Sequence, residues 1–266
     1  MRVFGHEEQN VMLKRLVRSL AFAAATLLLA QAASLACGGP DCAASLAYEA
    51  FGGSPGKPPR ALAVFLHGSV SAGGPADYMY GTARRFAEGH KDVVAIALLA
   101  PGYYDRNGKR SDGSDAGRRL SDDSDAVIDA LEALRAKYKP RRLVVLGHSK
   151  GAMNLGAILG KRPGLIGGAV LVAGVYDLQA LSQTRGRAQY GIEALQYVSV
   201  IPRGVRVILI HGDQDGEVPM SQSFAFETRA KASGVAAKLV LVEGVGHNFN
   251  GQLSGPAVDA LGRLVD

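Results

Sequence analysis

The sequence predicts an α/β fold, a mainly parallel, doubly wound sheet flanked by helices, and three observations carry that prediction. Short apolar runs rich in Val, Ile, Leu and Ala alternate with longer segments of helical periodicity. The runs lack the polar alternation of a half-wet strand, so they read as strands covered on both faces. The composition, 47% hydrophobic and 20% charged over 266 residues, is enough to bury a core of that size.

The N-terminus reads as a separate segment. Lys14, Arg15 and Arg18 precede an apolar run from Leu20 to Ala30, and small residues follow up to Ala36. That layout is a secretory signal over residues 1–36, with Met12 an alternative start and cleavage expected after Ala32 or Ala36. The run is shorter than the ~20 residues a spanning helix needs, so no stable membrane span is expected in the mature chain. The protein is therefore expected to be exported, periplasmic or secreted. Lipid attachment at Cys37 is a weaker alternative, because Ser34 stands where such signals carry Leu. The only two cysteines, Cys37 and Cys42, lie in the next segment, 37–60, and are candidates for a small disulfide loop.

Residues 52–60 (GGSPGKPPR) are a cluster of breakers, and periodic structure is expected to begin after them, in a domain over 61–266. Strands are predicted at 61–66, 93–98, 143–146, 168–173, 205–210 and 238–242. Helices are predicted at 77–88, 122–138, 152–160, 221–233 and 255–264. Asp122, Asp123 and Asp125 favour a helix start, and Lys137 and Lys139 its end. The polar, Gly-rich stretch 103–121 reads as a long loop that leaves a strand carboxyl end and borders the site. Only about thirty residues separate the strands at 168–173 and 205–210, so no large lid domain is expected.

The formal charge is +6, but the basic residues are scattered in pairs such as Arg84-Arg85 and Arg118-Arg119 with no interleaved aromatics, which argues against nucleic acid as a partner. No His or Cys spacing suits a metal, and no Gly-rich loop suits a phosphate, so neither a metal nor another cofactor is expected.

The chemistry-bearing segment is Leu143-Val144-Val145-Leu146-Gly147-His148-Ser149-Lys150-Gly151. A strand runs into G-x-S-x-G and a helix follows. Glycine is required on both sides because the turn that lifts the serine hydroxyl leaves no room for side chains there. The helix amides behind it favour a developing negative charge. A serine hydroxyl needs a base, and the base needs an acid to orient it. Downstream, Gly212-Asp213-Gln214-Asp215 follows one strand and Gly246-His247 follows another. His247 is the candidate base; His67 and His211 read as structural, and the His148 side chain is expected to point away from the nucleophile. The Lys150 side chain is expected to reach solvent.

With His67-Gly68 after the first core strand, these pieces resemble the α/β-hydrolase superfamily over about residues 60–266. The resemblance implies a serine hydrolase similar to small esterases, dienelactone-hydrolase-like or peptidase-like members, with the triad Ser149, Asp215 and His247. Asp177 is the rival acid, with Asp213 and Glu217 behind it. It also implies an oxyanion hole formed by the amides of Lys150 and Ser69, with Val70 an alternative to Ser69. The expected substrate is a small carboxylic ester, then a thioester or a short peptide amide, cleaved through an acyl-enzyme. An acyltransferase on the same triad and a non-catalytic binding protein of this fold remain alternative readings.

Overall fold

The computed structural model describes residues 37, 39–54, 56–113 and 121–265. The expected export segment, 1–36, lies outside the described residues, as do residues 114–120 of the long loop. From Cys37 on, the described chain forms one compact unit.

The strands are β1 (Cys42–Ala43), β2 (Leu46–Gly52), β3 (Ala61–Leu66), β4 (Val93–Leu98), β5 (Arg142–His148), β6 (Gly168–Val172), β7 (Arg206–Gly212) and β8 (Ala236–Val242). The helices are α1 (Tyr80–Gly89), α2 (Ser124–Tyr138), α3 (Lys150–Lys161), α4 (Leu178–Arg185), α5 (Ser221–Ala232) and α6 (Gly251–Val265), with a 3-10 segment at Ala194–Val200. The eight strands form one sheet in the order β1-β2-β4-β3-β5-β6-β7-β8. The β1–β2 and β2–β4 pairs are antiparallel, and every other neighbouring pair is parallel.

The central strands are buried on both sides, and their side chains divide by parity. Leu62, Val64 and Leu66 of β3 enter one core, whereas Ala61, Ala63 and Phe65 enter the other. Buried residues of α2, α3 and α5 fill the first core, and those of α1 and α6 fill the second. This is the doubly wound layering that the unbroken apolar runs imply. Residues Lys150–Gly160 of α3 are all buried, which explains why its sequence carries no polar face.

Periodic structure begins earlier than the breaker cluster suggests. The strand β2 lies before residues 52–60 and pairs with β4 from Tyr48↔Leu98 to Gly52↔Val94. Its far half is only partly covered, with Glu49 and Phe51 half-buried and Ala50 exposed, so it lacks the continuous apolar run of the central strands. Cys37 and Cys42 are paired in a disulfide beside this strand. The stretch between β6 and β7 holds the eight-residue α4 and the 3-10 segment, not a lid domain.

Candidate active site

The turn after β5 puts Ser149 at φ 53° and ψ −117°, a conformation that a residue with a side chain adopts only when its surroundings enforce it. Two glycines make the turn passable. A Cβ at Gly147 would come within 2.6 Å of the Gly151 carbonyl oxygen, and one at Gly151 within 2.6 Å of the carbonyl oxygens of Leu66 and His67. The Ser149 amide donates to the Val172 carbonyl at 2.8 Å, which fixes the turn to the end of β6.

Three of the residues singled out in the sequence meet above this edge of the sheet. His247 Nε2 lies 3.0 Å from Ser149 Oγ, and His247 Nδ1 lies 2.7 Å from Asp215 Oδ2. The second oxygen of Asp215 accepts from the amides of Glu217 and Val218 at 2.9 and 2.8 Å. His211, fully buried, brings its Nε2 to 3.2 Å from Asp215 Oδ2. Burial by itself would raise the Asp215 pKa, but hydrogen bonds from His211, His247 and the Val218 amide hold it well below the usual carboxylate range. An ionised carboxylate locked onto Nδ1 keeps the proton there and leaves Nε2 free to take one from the hydroxyl.

The other acids are occupied elsewhere. Asp177 caps α4, accepting from the Ala180 amide at 2.7 Å. Asp213 accepts from the Gly244 amide at 2.7 Å and shapes its turn. Glu217 is 69% exposed, with a carboxylate oxygen 4.0 Å from His247 Nε2.

The loop after β3 closes the other side. Gly68 stands directly against the nucleophile, since a Cβ there would approach Ser149 Cβ to 2.8 Å. Ser69, next in the chain, lines the cavity over Ser149, and its buried hydroxyl oxygen has no partner among the described residues. His67 is structural: its Nδ1 pairs with the Gly68 carbonyl at 2.7 Å and its Nε2 accepts from the Ala100 amide at 2.9 Å. Burial pushes its pKa down to about 4.

The two neighbours of Ser149 depart from the sequence expectations. His148 does not point away; it lines the cavity, and its ring centroid lies 5.1 Å from that of His247. Its Nε2 pairs with the His247 carbonyl at 2.9 Å and its Nδ1 with the Tyr78 hydroxyl at 2.7 Å. A neutral ring satisfies both: Nε2–H donates to the carbonyl, and Nδ1 accepts from Tyr78, whose oxygen in turn accepts from the Gly68 amide. Desolvation first, then the neighbouring His247, pushes the His148 pKa down to about 3.

The Lys150 side chain does not reach solvent. It is 1% exposed and runs behind the elbow, where Nζ meets Asp123 Oδ2 at 2.7 Å and Ser121 Oγ at 3.3 Å and lies 4.6 Å above the Tyr103 ring. Asp123 is therefore a partner for Lys150, and its side chain makes no capping bond to α2. Of the described part of the 103–121 loop, Tyr103 and Ser121 meet this lysine, Arg106 pairs with Asp77 and Lys109 with Asp41 and Glu49, and none of it lines the cavity. Sequence reasoning placed it at the site because it leaves a strand carboxyl end.

The cavity over Ser149 has a volume of about 360 Å³. One wall comes from a segment that sequence reasoning did not single out, Arg185 to Tyr190 at the end of α4. Among the described residues no group of His, Cys, Asp and Glu is arranged to hold a metal ion, and no helix is long and apolar enough to cross a membrane.

The profile of the prolyl oligopeptidase family (Peptidase_S9) matches residues 110–258, more than half of the chain. Comparison with curated protein sequences yields no match. Among solved structures the chain is similar to Est1E from Butyrivibrio proteoclasticus, captured with ferulic acid. The TM-score is 0.64 and the identity 16%, over 85% of this chain and 97% of that one. It is also similar to the monoacylglycerol lipase of Paleococcus ferrophilus, with a TM-score of 0.60 and 17% identity over 83% and 98% of the two chains. For an esterase of Pyrococcus furiosus the values are 0.60 and 18%, over 78% and 84%. At these identities the likeness is one of fold. Joined to the sheet order and the elbow, the family match means that this chain is a hydrolase of the α/β-hydrolase superfamily and belongs to the prolyl oligopeptidase family.

Proposed function

We propose that the protein is an exported serine hydrolase that cleaves small carboxylic esters through an acyl-enzyme on Ser149. The observation that carries this reading is the unbroken hydrogen-bond chain from Ser149 Oγ through His247 to Asp215. In the first half-reaction His247 Nε2 takes the hydroxyl proton as Oγ attacks the carbonyl carbon. The amides of Lys150 and Ser69 stabilise the oxyanion, a contribution of about 3 kcal/mol per donor in other hydrolases. His247 then gives the proton to the departing alkoxide. In the second half-reaction it activates water, which releases the acid and regenerates Oγ–H.

The modest cavity favours short substrates. Among the described residues, Val175, Ala188 and Val218 are the only aliphatic ones in its lining, too few to house a long acyl chain. The structural likenesses to esterases support the ester reading, whereas the family match favours a second reading, hydrolysis of a short peptide amide. Export is supported by the Cys37–Cys42 disulfide, which persists in an oxidising compartment.

The test is a fluorophosphonate probe followed by a substrate panel. The intact protein is expected to be labelled and Ser149→Ala is not. Acyl esters of two to four carbons are expected to turn over faster than aminoacyl amides. Equal labelling of both proteins, or of neither, removes Ser149 as the nucleophile.

A further inference from the structure

The cavity wall beside the acid turn carries two guanidinium groups whose purpose the hydrolytic machinery leaves unexplained. Arg185 ends α4, and Gly186 follows in the left-handed conformation at φ 61°, which turns the chain back across the end of the helix. Arg187 N donates to the Ser182 carbonyl and Gln189 N to the Ser182 hydroxyl, at 3.2 and 3.0 Å, so the backbone of this wall is fixed. Arg185 ties the wall to the acid turn, donating to Gln189 Oε1 at 3.1 Å and to the Glu217 carbonyl. Those bonds occupy two of its five N–H groups. The Arg187 side chain is exposed and meets no partner among the described residues. Both arginines line the same cavity as Ser149 and His247.

The charge balance inside the cavity is therefore one-sided. Two permanent cations stand on its lining against one solvent-exposed carboxylate, that of Glu217. Because Glu217 stands 4.0 Å from the base, it repels an anion placed beside His247 and leaves the Arg187 end as the favourable place for one. A guanidinium suits a planar carboxylate better than an ammonium does, since it can give two parallel hydrogen bonds. Tyr190, 63% exposed, offers a ring at the same edge.

We propose that Arg187, with Arg185 behind it, forms an anion subsite, and that the substrate is a short ester bearing a carboxylate at the end remote from the scissile bond. This rests on the serine-hydrolase reading above. The carboxylate docks on the Arg187 guanidinium while the ester carbonyl sits over Ser149. Binding energy from that remote group is then available to orient the carbonyl, and it appears in kcat/KM.

The experiment compares two matched pairs of esters. On the acyl side the pair is 4-nitrophenyl hemisuccinate and 4-nitrophenyl butyrate. On the leaving-group side it is 4-carboxyphenyl acetate and its methyl ester. Rates are normalised to alkaline hydrolysis of each compound. The expected result is that the anionic member of one pair is preferred by about tenfold in kcat/KM, the scale of one charge-assisted hydrogen bond. Added salt reduces the preference. In Arg187→Gln the preference falls to near unity, in Arg187→Glu it inverts, and in Arg187→Lys part of it survives. The side chain is exposed and has no partner among the described residues, so none of these variants endangers folding. Normal turnover of the neutral esters with no anionic preference in either pair overturns the subsite and leaves the hydrolase intact. So does a preference that persists undiminished in Arg187→Gln. Absence of turnover of all four esters, with no fluorophosphonate labelling of Ser149, overturns the hydrolase reading and the subsite with it.

Discussion

Two buried polar clusters stand on either side of Ser149, and they use the same kinds of groups to opposite ends. On the site side Asp215 faces His247 and His211, and one of those imidazoles also meets the serine hydroxyl. On the rear side Lys150 faces Asp123 and Ser121 under the Tyr103 ring, and nothing in the cluster touches the cavity. The Asp215 and Asp123 side chains are 1% and 10% exposed, so both carboxylates bear a desolvation cost that their partners offset. The difference is what each cluster holds in place. The first fixes a proton acceptor within reach of a nucleophile; the second fixes the 121–123 end of a loop to the helix that follows the nucleophile. Burial and pairing therefore do not identify chemistry by themselves. Contact with the cavity does.

The comparison breaks most easily at its two acids. Asp215→Asn is expected to lower turnover by about four orders of magnitude through loss of the productive imidazole tautomer, while the protein stays folded. Asp177→Asn, which alters only a helix cap, is expected to retain turnover and to cost about 1 kcal/mol at most. Turnover and urea-unfolding midpoints of the two variants separate the outcomes; equal loss in both makes Asp177 part of the machinery. On the rear side, Lys150→Met keeps the backbone amide and the apolar stem but strands a buried carboxylate. A loss of about 3 kcal/mol is expected, and Asp123→Asn in the same chain should restore much of it. A Lys150→Met protein that is fully stable but slow would place the ammonium in the reaction.

The fold was legible where burial is complete. The two central strands β3 and β4 carry continuous apolar runs, and the predicted bounds 61–66 and 93–98 are the observed ones. The strand β2 was not legible, because an antiparallel strand that is only partly covered mixes Glu49 with Tyr48 and Phe51. At the site, G-x-S-x-G and the first downstream turn could be read because Gly147, Gly151 and Gly212 are forced by close backbone approaches that sequence preserves as a pattern. Gly246 has no such close approach, and His247 was legible from its place after a predicted strand. The neighbours of Ser149 could not be read. His148 and Lys150 flank a residue at positive φ, where the alternation of a strand no longer says which way a side chain goes. The partner of Lys150 lies 27 positions earlier, in a run of acids that also suits a helix start. Arg187 sits in a connecting segment with no periodicity and Tyr78 at the start of a predicted helix, and only coordinates bring the first to the cavity and the second to the His148 ring.

The smallest effect sharpens the site side. The chain Gly68 N–H, Tyr78 hydroxyl, His148 ring and His247 carbonyl bridges the nucleophile from the loop after β3 to the loop of the base, and it requires His148 to be neutral. In the unfolded chain this imidazole takes a proton near pH 6.5, but in the folded protein only near pH 3. Between those values the unfolded state binds more protons, so the contribution of His148 is fully present above pH 6.5 and fades as the pH falls toward 3. His67, depressed to about 4, adds a second limb of the same sign, and Asp215 adds one below the ordinary carboxylate range. The groups facing His148 are Tyr78, His247 and, through charge, Asp215 and His67. In His148→Gln the urea midpoint is expected to fall less steeply between pH 6.5 and 4 than in the parent, with turnover down by about tenfold as the two loops lose their tie. Tyr78→Phe should lose a similar fraction of turnover while keeping the steep acid limb. The double variant should be no slower than His148→Gln alone, because both substitutions cut one chain. Strictly multiplicative losses would mean that the two side chains act separately.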